Sequence, residues 1–189
     1  GYGFAEATES FVLSFEANDP RRKFTVAMNN EDYFGVVYKN SFSSTKYSVR
    51  KYLQAKDSVT QKADGDINYT PIRYAEVLLW EAEALTELNR VAEAQAPLEQ
   101  VRARARAQAT DPATALPPVT TTDQQAMRDA VRHERQVELG FELHRFFDLV
   151  RWGIAPQVLP GFQVGKHEVF PLPQTEIDLN PALQQNAGY

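Results

Sequence analysis

The segment DQQAMRDAVRHERQVELGFELHRFFDLVRWG, residues 123–153, is the longest stretch with a helical pattern and decides the predicted fold. Thr122 and Gln125 have the spacing of a capping box, which predicts the start of a helix. Gly140 weakens the helix and allows it to bend, and Gly153 is placed to end it. The following apolar residues fall on one side at helical spacing: Met127, Ala130, Val131, Val137 and Phe141. We therefore expect a long amphipathic helix that packs through this side.

Two carboxylates, Glu134 and Glu138, lie one helical turn apart on this apolar side. Burying a carboxylate without a partner costs several kcal/mol, which is comparable with the whole stability of many domains. We therefore expect arginines to meet the two glutamates in a buried ion-pair network, or the helix to border a wet cleft. The network assigned from the sequence consists of Arg73, Glu134, Arg135, Glu138 and Arg145, with Arg102 as a further candidate.

The composition excludes several classes of protein. The chain has 189 residues, which suits one domain or one large piece of a bigger one. A net charge of -5 argues against a nucleic-acid partner, which requires a basic surface. The absence of cysteine excludes disulfides and thiolate metal sites, and no apolar run approaches the roughly 20 residues of a membrane span. The sequence begins at Gly1 without an initiator Met or a signal peptide, which predicts a processed or truncated chain.

Two regions differ in their sequence pattern. Residues 1–70 are rich in aromatic residues and turns, and we expect a loop-rich segment that packs on the helices. Residues 71–189 are predicted to be a helical region of the same larger domain. Helices over Pro71–Leu88 and Val91–Gln108, joined by about two residues, predict an antiparallel hairpin similar to tetratricopeptide units. Asp111–Thr122, rich in Pro, Thr and Ala, predicts an exposed connector.

The predicted hairpin has a definite pattern of faces. Apolar residues cover two faces of its first helix, which predicts packing on more than one side. The second of these faces consists of Val77, Trp80, Ala84 and Leu88. A separate polar stripe on the same helix consists of Glu76, Glu83 and Glu87. The residues of the second helix that are predicted to face inward are Ala92, Ala96, Val101 and Ala105. Alanines at a helix contact suit the close approach found in helical-repeat proteins.

Motifs for catalysis and metal binding are incomplete. His133-Glu134 begins an HExxH string, but Val137 stands at the closing position. Asp64-Gly65-Asp66 resembles the start of a calcium loop, but the glycine and glutamate required further on are missing, so a plain turn is expected. No serine-nucleophile, dinucleotide or phosphate-binding motif is present. We therefore predict no catalytic residue, no metal and no cofactor.

Aromatic residues in the first region are candidates for binding a ligand. Aromatic rings on loops can stack against the apolar faces of sugars or anchor a protein partner, and the alternative is that they fill the core. The predicted ligand-binding residues are Tyr33, Phe34, Tyr38, Phe42 and Tyr47.

Four stretches stand in a definite order along the second region. They are RYAEVLLWEAEAL (73–85), LEQVRARA (98–105), ERQVELGFELHRFFDLVRWG (134–153) and KHEVFPLPQTEIDLNPALQQNAGY (166–189), and DPRR (19–22) precedes them. Together they resemble the C-terminal part of the SusD/RagB family. That family usually carries Ala where Gly140 stands and Gly where Leu143 stands.

The resemblance implies an all-α, SusD-like fold of tetratricopeptide-like helical hairpins with long irregular loops. It implies an outer-membrane, cell-surface lipoprotein of Bacteroidetes-type bacteria that captures glycan or another nutrient without cleaving it. The implied partners are a SusC-like TonB-dependent transporter and an oligosaccharide or peptide ligand. Contact with the membrane would come only through a lipid anchor outside this chain.

Two alternatives remain open. The helix hairpin and the acidic charge also fit an intracellular helical-repeat adaptor that binds a peptide. Glu134 and Glu138, about 6 Å apart on one helix, also fit the spacing of the two carboxylates of a glycosidase.

Overall fold

The computed structural model describes residues 5–59 and 65–189. Over these residues the chain is mostly helical, which confirms the predicted all-α class. The helices are α1 Glu9–Val12, α2 Arg21–Thr25, α3 Tyr74–Glu87, α4 Val91–Arg106, α5 Gln124–Glu138, α6 Arg145–Arg151, α7 Ala155–Val158 and α8 Gln174–Leu179. The strands are β1 Val26–Ala27, β2 Asp32–Tyr33, β3 Val36–Val37 and β4 Ser48–Val49; β1 pairs antiparallel with β4, and β2 with β3.

The chain divides into two compact units, Gly1–Leu143 and His144–Tyr189. The first contains α1 to α5 and the four strands, and the second contains α6 to α8. The division at residue 70 that the sequence predicts stays a prediction. None of the helices among the described residues combines the length and the apolarity needed to cross a membrane.

Helices α3, α4 and α5 form the main core of the first unit. The turn between α3 and α4 contains Asn89 with a φ of +59°, a left-handed conformation that asparagine adopts readily. Each large apolar side chain buried here contributes about 1.5–3 kcal/mol relative to exposure. The buried core residues are Leu78, Leu79, Ala82, Val91, Ala94, Leu98, Val101, Met127, Val131 and Leu139.

The hairpin forms as predicted, but some of its predicted faces are wrong. Ala92 and Ala96 are exposed, because the buried stripe of α4 follows alternating steps of three and four residues from Val91 through Ala94 and Leu98. Glu76, assigned to the polar stripe of α3, is buried. The residues of the second apolar face of α3 are exposed in this structure: Val77, Trp80, Ala84 and Leu88.

The prediction of one long helix over residues 123–153 is wrong. Helix α5 ends at Glu138, and Phe141 and Leu143 then adopt left-handed backbone conformations with φ of +65° and +66°. At this break Phe141 packs against Phe11, with ring centroids 5.5 Å apart. The helix start is also one residue later than predicted, because the side chain of Asp123 accepts a hydrogen bond from the backbone of Ala126.

The segment 111–122 is largely exposed, as predicted, but its centre is anchored to α4. Ala115 and Leu116 are buried, and the carbonyl oxygens of Leu116 and Pro117 accept hydrogen bonds from Arg106 and Arg102. The segment therefore covers the last two turns of α4. Asp64 of the predicted turn lies outside the described residues.

The second unit is built around an aromatic group. The ring of Phe146 is 5.6 Å from that of Phe147 and 5.7 Å from that of Phe170, both between centroids. The C-terminal tail returns along the preceding segment, and the side chain of Gln185 bonds both backbone groups of Leu172. The hydroxyl of Tyr189 donates to the carbonyl of Val169, which fixes the end of the chain.

Candidate functional site

A cavity of about 660 Å³, here called the aromatic cavity, lies within the first unit beside the two-stranded sheets. Its apolar wall includes Ala27, Tyr33, Phe34, Val36, Tyr38, Phe42, Val49 and Leu53. Its polar residues are Glu6, Ser48, Gln54 and Lys56. The volume is in the range of sites that bind small molecules, and an apolar wall with a few polar groups is typical of such sites.

Four of the five predicted ligand-binding residues line this cavity, and the turn between β2 and β3 presents one of them. Phe34 and Gly35 at this turn have φ of +56° and +80°. A left-handed conformation is unfavourable for phenylalanine, and such strain is often found at functional sites. Phe34 as a whole residue remains 51% exposed.

Contacts within the first unit hold the aromatic rings of the cavity in place. Tyr38 packs edge-to-face against Phe42 with centroids 5.4 Å apart, and its hydroxyl lies 2.8 Å from that of Ser48. The guanidinium carbon of Arg50 lies 5.3 Å from the ring centroid of Tyr33 and 4.8 Å from that of Phe34. Cation–π contacts of this kind hold both rings in place.

Tyr33 is buried and lines the aromatic cavity. Its hydroxyl donates a hydrogen bond to the carboxylate of Glu31, which also pairs with Arg22. Burial and the hydrogen bond to Glu31 raise the pKa of Tyr33 to about 12, so the phenol is neutral at physiological pH. Tyr47, the fifth predicted residue, does not line this cavity; it packs on the small core of Ala7, Val12 and Val26.

Arginines surround the two glutamates of α5. Glu134 is fully buried and accepts hydrogen bonds from Arg21 and from Arg102, the latter at 2.8 Å. Glu138 accepts from Arg21 at 3.0 Å, from Arg73 at 2.7 Å and from Arg104 at 2.8 Å. Both glutamates are therefore paired with arginines, as the network interpretation predicts, and Glu138 also lines a cavity beside the cluster.

This cluster extends to further residues that the sequence reading did not assign. Glu142 pairs with Lys51 and with Arg73, each at 2.6 Å. The ion-pair cluster as a whole contains five cations and five carboxylates: Arg21, Lys51, Arg73, Arg102 and Arg104 with Glu16, Asp19, Glu134, Glu138 and Glu142.

The protonation states of the cluster favour a structural role. Burial alone raises the pKa of Glu138, but attraction to Arg73, Arg104 and Arg21 outweighs burial and holds its pKa below the ordinary value. Burial also raises the pKa of Glu142, but Arg73 and Lys51 lower it by more. The pKa of Glu142 therefore lies below its ordinary value. The general acid of a glycosidase needs a raised pKa, so Glu138, one of the two candidate carboxylates, lacks the property that this role requires.

Of the five residues assigned to the network from the sequence, the structure joins Arg73, Glu134 and Glu138. Arg135 instead lies 3.8 Å from Glu76 and 4.0 Å from Glu83, both on α3.

Arg145, the fifth residue assigned to the network, belongs to the second unit. Its guanidinium carbon lies 5.9 Å from the ring centroid of Trp152, and burial lowers its pKa. Arg21, which the sequence reading missed, stands in the DPRR stretch that contributes to the family resemblance.

One group of potential metal ligands occurs among the described residues. Oxygen and nitrogen atoms of Glu16, His133 and Glu134 lie within 4.8 Å of one another. Arg102 donates to both carboxylates, and Nε2 of His133 lies 2.7 Å from the carbonyl oxygen of Ser14. The guanidinium already supplies the positive charge that a metal would bring, and we assign no metal to this group.

Known proteins resemble this chain in sequence and in fold. SusD-like protein P25 from Formosa agariphila is 32% identical over 203 residues, which cover 100% of this chain and 36% of that protein. Surface glycan-binding protein A from Bacteroides fluxus is 27% identical with a TM-score of 0.77, over 100% of this chain and 41% of that one. A SusD superfamily protein from Bacteroides vulgatus has a TM-score of 0.79 at 24% identity, over 97% and 44% of the two chains, which shows the fold alone.

The chain spans less than half the length of these relatives. The SusD-like architecture predicted from the sequence is confirmed by the likeness to these structures. The model of the SusD family, SusD_RagB, matches residues 4–168, which is most of the chain. The chain therefore belongs to the SusD/RagB family.

Proposed function

We propose that this protein captures a glycan at the surface of a bacterial outer membrane, without cleaving it, and delivers it to a SusC-like TonB-dependent transporter. The observation that carries the proposal is the aromatic cavity, with the half-exposed ring of Phe34 at its edge. Family membership supports the same role, as does the likeness to a surface glycan-binding protein. The location, a lipid anchor outside this chain and the transporter are parts of the proposal that rest on the family.

The chemistry of the cavity suits a saccharide. The apolar face of a sugar ring stacks on an aromatic ring, and Phe34 and Phe42 offer exposed rings for this contact. The hydroxyl groups of a sugar need hydrogen-bond partners, which Gln54 and Lys56 supply from the cavity wall. A mixed wall of this kind binds a short oligosaccharide through both stacking and hydrogen bonds.

The carboxylate content of the cavity favours binding without hydrolysis. Hydrolysis by the usual glycosidase mechanism needs two carboxylates across one bond. Among the described residues that line the aromatic cavity, Glu6 is the one carboxylate. Hydrogen bonds from the side chain and backbone of Ser44 lower the pKa of Glu6, which does not fit a proton donor. Glu134 and Glu138, the other candidates, are paired with arginines.

The proposal is tested with the protein expressed from its complete gene. An oligosaccharide array followed by calorimetry is expected to identify a glycan that binds and remains uncleaved in chromatography of the mixture. Affinity purification from the native membrane is expected to recover a TonB-dependent transporter. Failure of every oligosaccharide to bind, or release of shorter products, would contradict the proposal.

A further inference from the structure

A second cavity in the first unit, of about 390 Å³, lies against the ion-pair cluster and is here called the charged cavity. Four cations contribute to its wall: Arg21, Lys51, Arg73 and Arg104. Two carboxylates, Glu138 and Glu142, also line it. The wall therefore carries two more positive than negative charges, and this excess favours an anionic occupant.

The two signs of charge in the cluster differ in exposure. The side chain of Arg104 is 60% exposed, whereas that of Glu138 is 2% exposed. Arg73 and Lys51 are also more exposed than Glu142, with which both pair. The carboxylates lie behind the cations, so the surface offered to a ligand is positive even though the cluster is balanced overall.

Some hydrogen-bond donors of these cations remain unused by the protein. Arg104 contacts Glu138 through Nη2, and within the described residues its Nε and Nη1 make no hydrogen bond to protein. The ammonium of Lys51 donates to the carbonyl and carboxylate oxygens of two glutamates and has a third proton. Arg104 and Lys51 can therefore donate charge-assisted hydrogen bonds to an added anion.

The other side of the charged cavity is apolar. Phe24 and Ile67 both line it, and both are partly exposed large apolar residues. A small inorganic anion would leave this apolar surface in contact with water. A sugar ring bearing an acidic group would cover the apolar surface and meet the cations at the same time.

We propose that the charged cavity binds the carboxylate or sulfate group of an acidic saccharide, with Arg104 and Lys51 pairing with the anion and Phe24 contacting the sugar ring. This inference rests on the proposed capture of a glycan and adds the substrate class. It assigns the charged cavity a recognition role in addition to the structural role of the ion pairs.

The test is calorimetric titration of the protein from its complete gene with sodium glucuronate, glucose and sodium sulfate. Glucuronate is expected to bind, with an affinity that falls as salt concentration rises, and to bind more tightly than glucose or sulfate. Arg104→Gln is expected to weaken glucuronate binding by about tenfold, the usual effect of one lost charge-assisted hydrogen bond. Arg90→Gln is the matched control, because Arg90 is exposed and pairs with Glu93 away from both cavities.

A second variant separates the sugar from the anion. Phe24→Ala is expected to weaken binding of glucuronate and to leave any binding of sulfate unchanged. Equal affinity for glucuronate and glucose, or no loss in folded Arg104→Gln, would overturn the inference while leaving the proposed function intact. Sulfate binding as tight as glucuronate binding would overturn the assignment to a saccharide. Failure of glucuronate to bind would overturn the inference alone, since the proposed function is tested separately by the oligosaccharide array.

Discussion

Arg21 and Glu138 are joined by a hydrogen bond of 3.0 Å between Nη1 and Oε2, although 117 positions separate them in the sequence. Both side chains are nearly inaccessible to solvent. The same guanidinium bonds Asp19 and Glu134, so one arginine ties the loop-rich start of the chain to helix α5. The position of the loops that form the aromatic cavity therefore depends on buried charge.

Replacing Arg21 should destabilise the protein strongly. Arg21→Met leaves Asp19 without its arginine and removes one partner from each of Glu134 and Glu138. Removing one partner of a buried ion pair typically costs about 3–5 kcal/mol. We expect the free energy of unfolding in urea to fall by a similar amount. Arg90→Met, which breaks an exposed pair, should leave the unfolding curve almost unchanged. Similar stability of the two variants would show that the cluster does not hold the fold.

Stability should fall in mild acid. The folded-state pKa of Glu138 and of Glu142 lies below the ordinary value of about 4.5. The unfolded chain therefore binds more protons than the folded one, and the stabilisation is complete above the unfolded pKa and lost as pH falls through the folded pKa. We expect the Tm to be flat down to about pH 5 and to fall below about pH 4.5.

The acid dependence can be assigned to the cluster with a variant. Glu142→Gln should lower the Tm at neutral pH and make its fall in acid shallower, because one of the depressed carboxyl groups is gone. Glu81→Gln, at an exposed position of α3 outside the cluster, is the control for the same chemical change. A parallel shift of the whole Tm curve in Glu142→Gln would contradict the assignment.

Gly140 is placed where a side chain would collide with Phe11. A Cβ built at position 140 overlaps the end of the Phe11 ring, which is itself packed between Phe15 and Phe141. Gly140→Ala should therefore cost about 1–3 kcal/mol by overpacking. In thermal unfolding, the double variant Gly140→Ala with Phe11→Leu should lose less stability than the sum of the losses of the two single variants. Additive losses would mean that the two positions do not interact.

Replacing Leu143 by glycine is expected to stabilise the protein, in contrast to replacing Gly140 by alanine. Leu143 has a φ of +66° and is 72% exposed, so it bears the cost of a left-handed backbone with little packing in return. Leu143→Gly should stabilise the protein by about 0.5–1 kcal/mol in urea unfolding, after the greater flexibility of unfolded glycine is subtracted. Leu13→Gly is the control, since Leu13 is equally exposed but has a right-handed φ of -74°, and it should destabilise.

Sequence periodicity predicted α3, α4 and α5 because the apolar spacing that defines a helix is local. The same pattern placed Glu134 and Glu138 on an apolar side, and that placement indicated either arginine partners or a wet cleft. Gly140 indicated a weak point in the helix, but the left-handed turn after Glu138 and the contact of Phe141 with Phe11, far away in the sequence, were not predictable from local periodicity.

The identity of the partners also depended on distant contacts. The sequence could not distinguish Arg21 and Arg104, which reach Glu138, from Arg135, which turns to Glu76 and Glu83. The aromatic residues were ambiguous for the same reason. Short loop segments have no periodicity that separates a ring lining a cavity, such as Phe34, from one that fills a core.

The most direct test of the account is the affinity of Phe34→Ala for the glycan that the protein from the complete gene binds. Phe147→Ala is the control, since Phe147 is similarly exposed and belongs to the second unit. If the aromatic cavity is the site of capture, Phe34→Ala should bind at least about tenfold more weakly, a loss of roughly 1.4 kcal/mol. The Phe147→Ala control should bind as the wild type does. Unchanged affinity in a folded Phe34→Ala protein would contradict the assignment of this cavity.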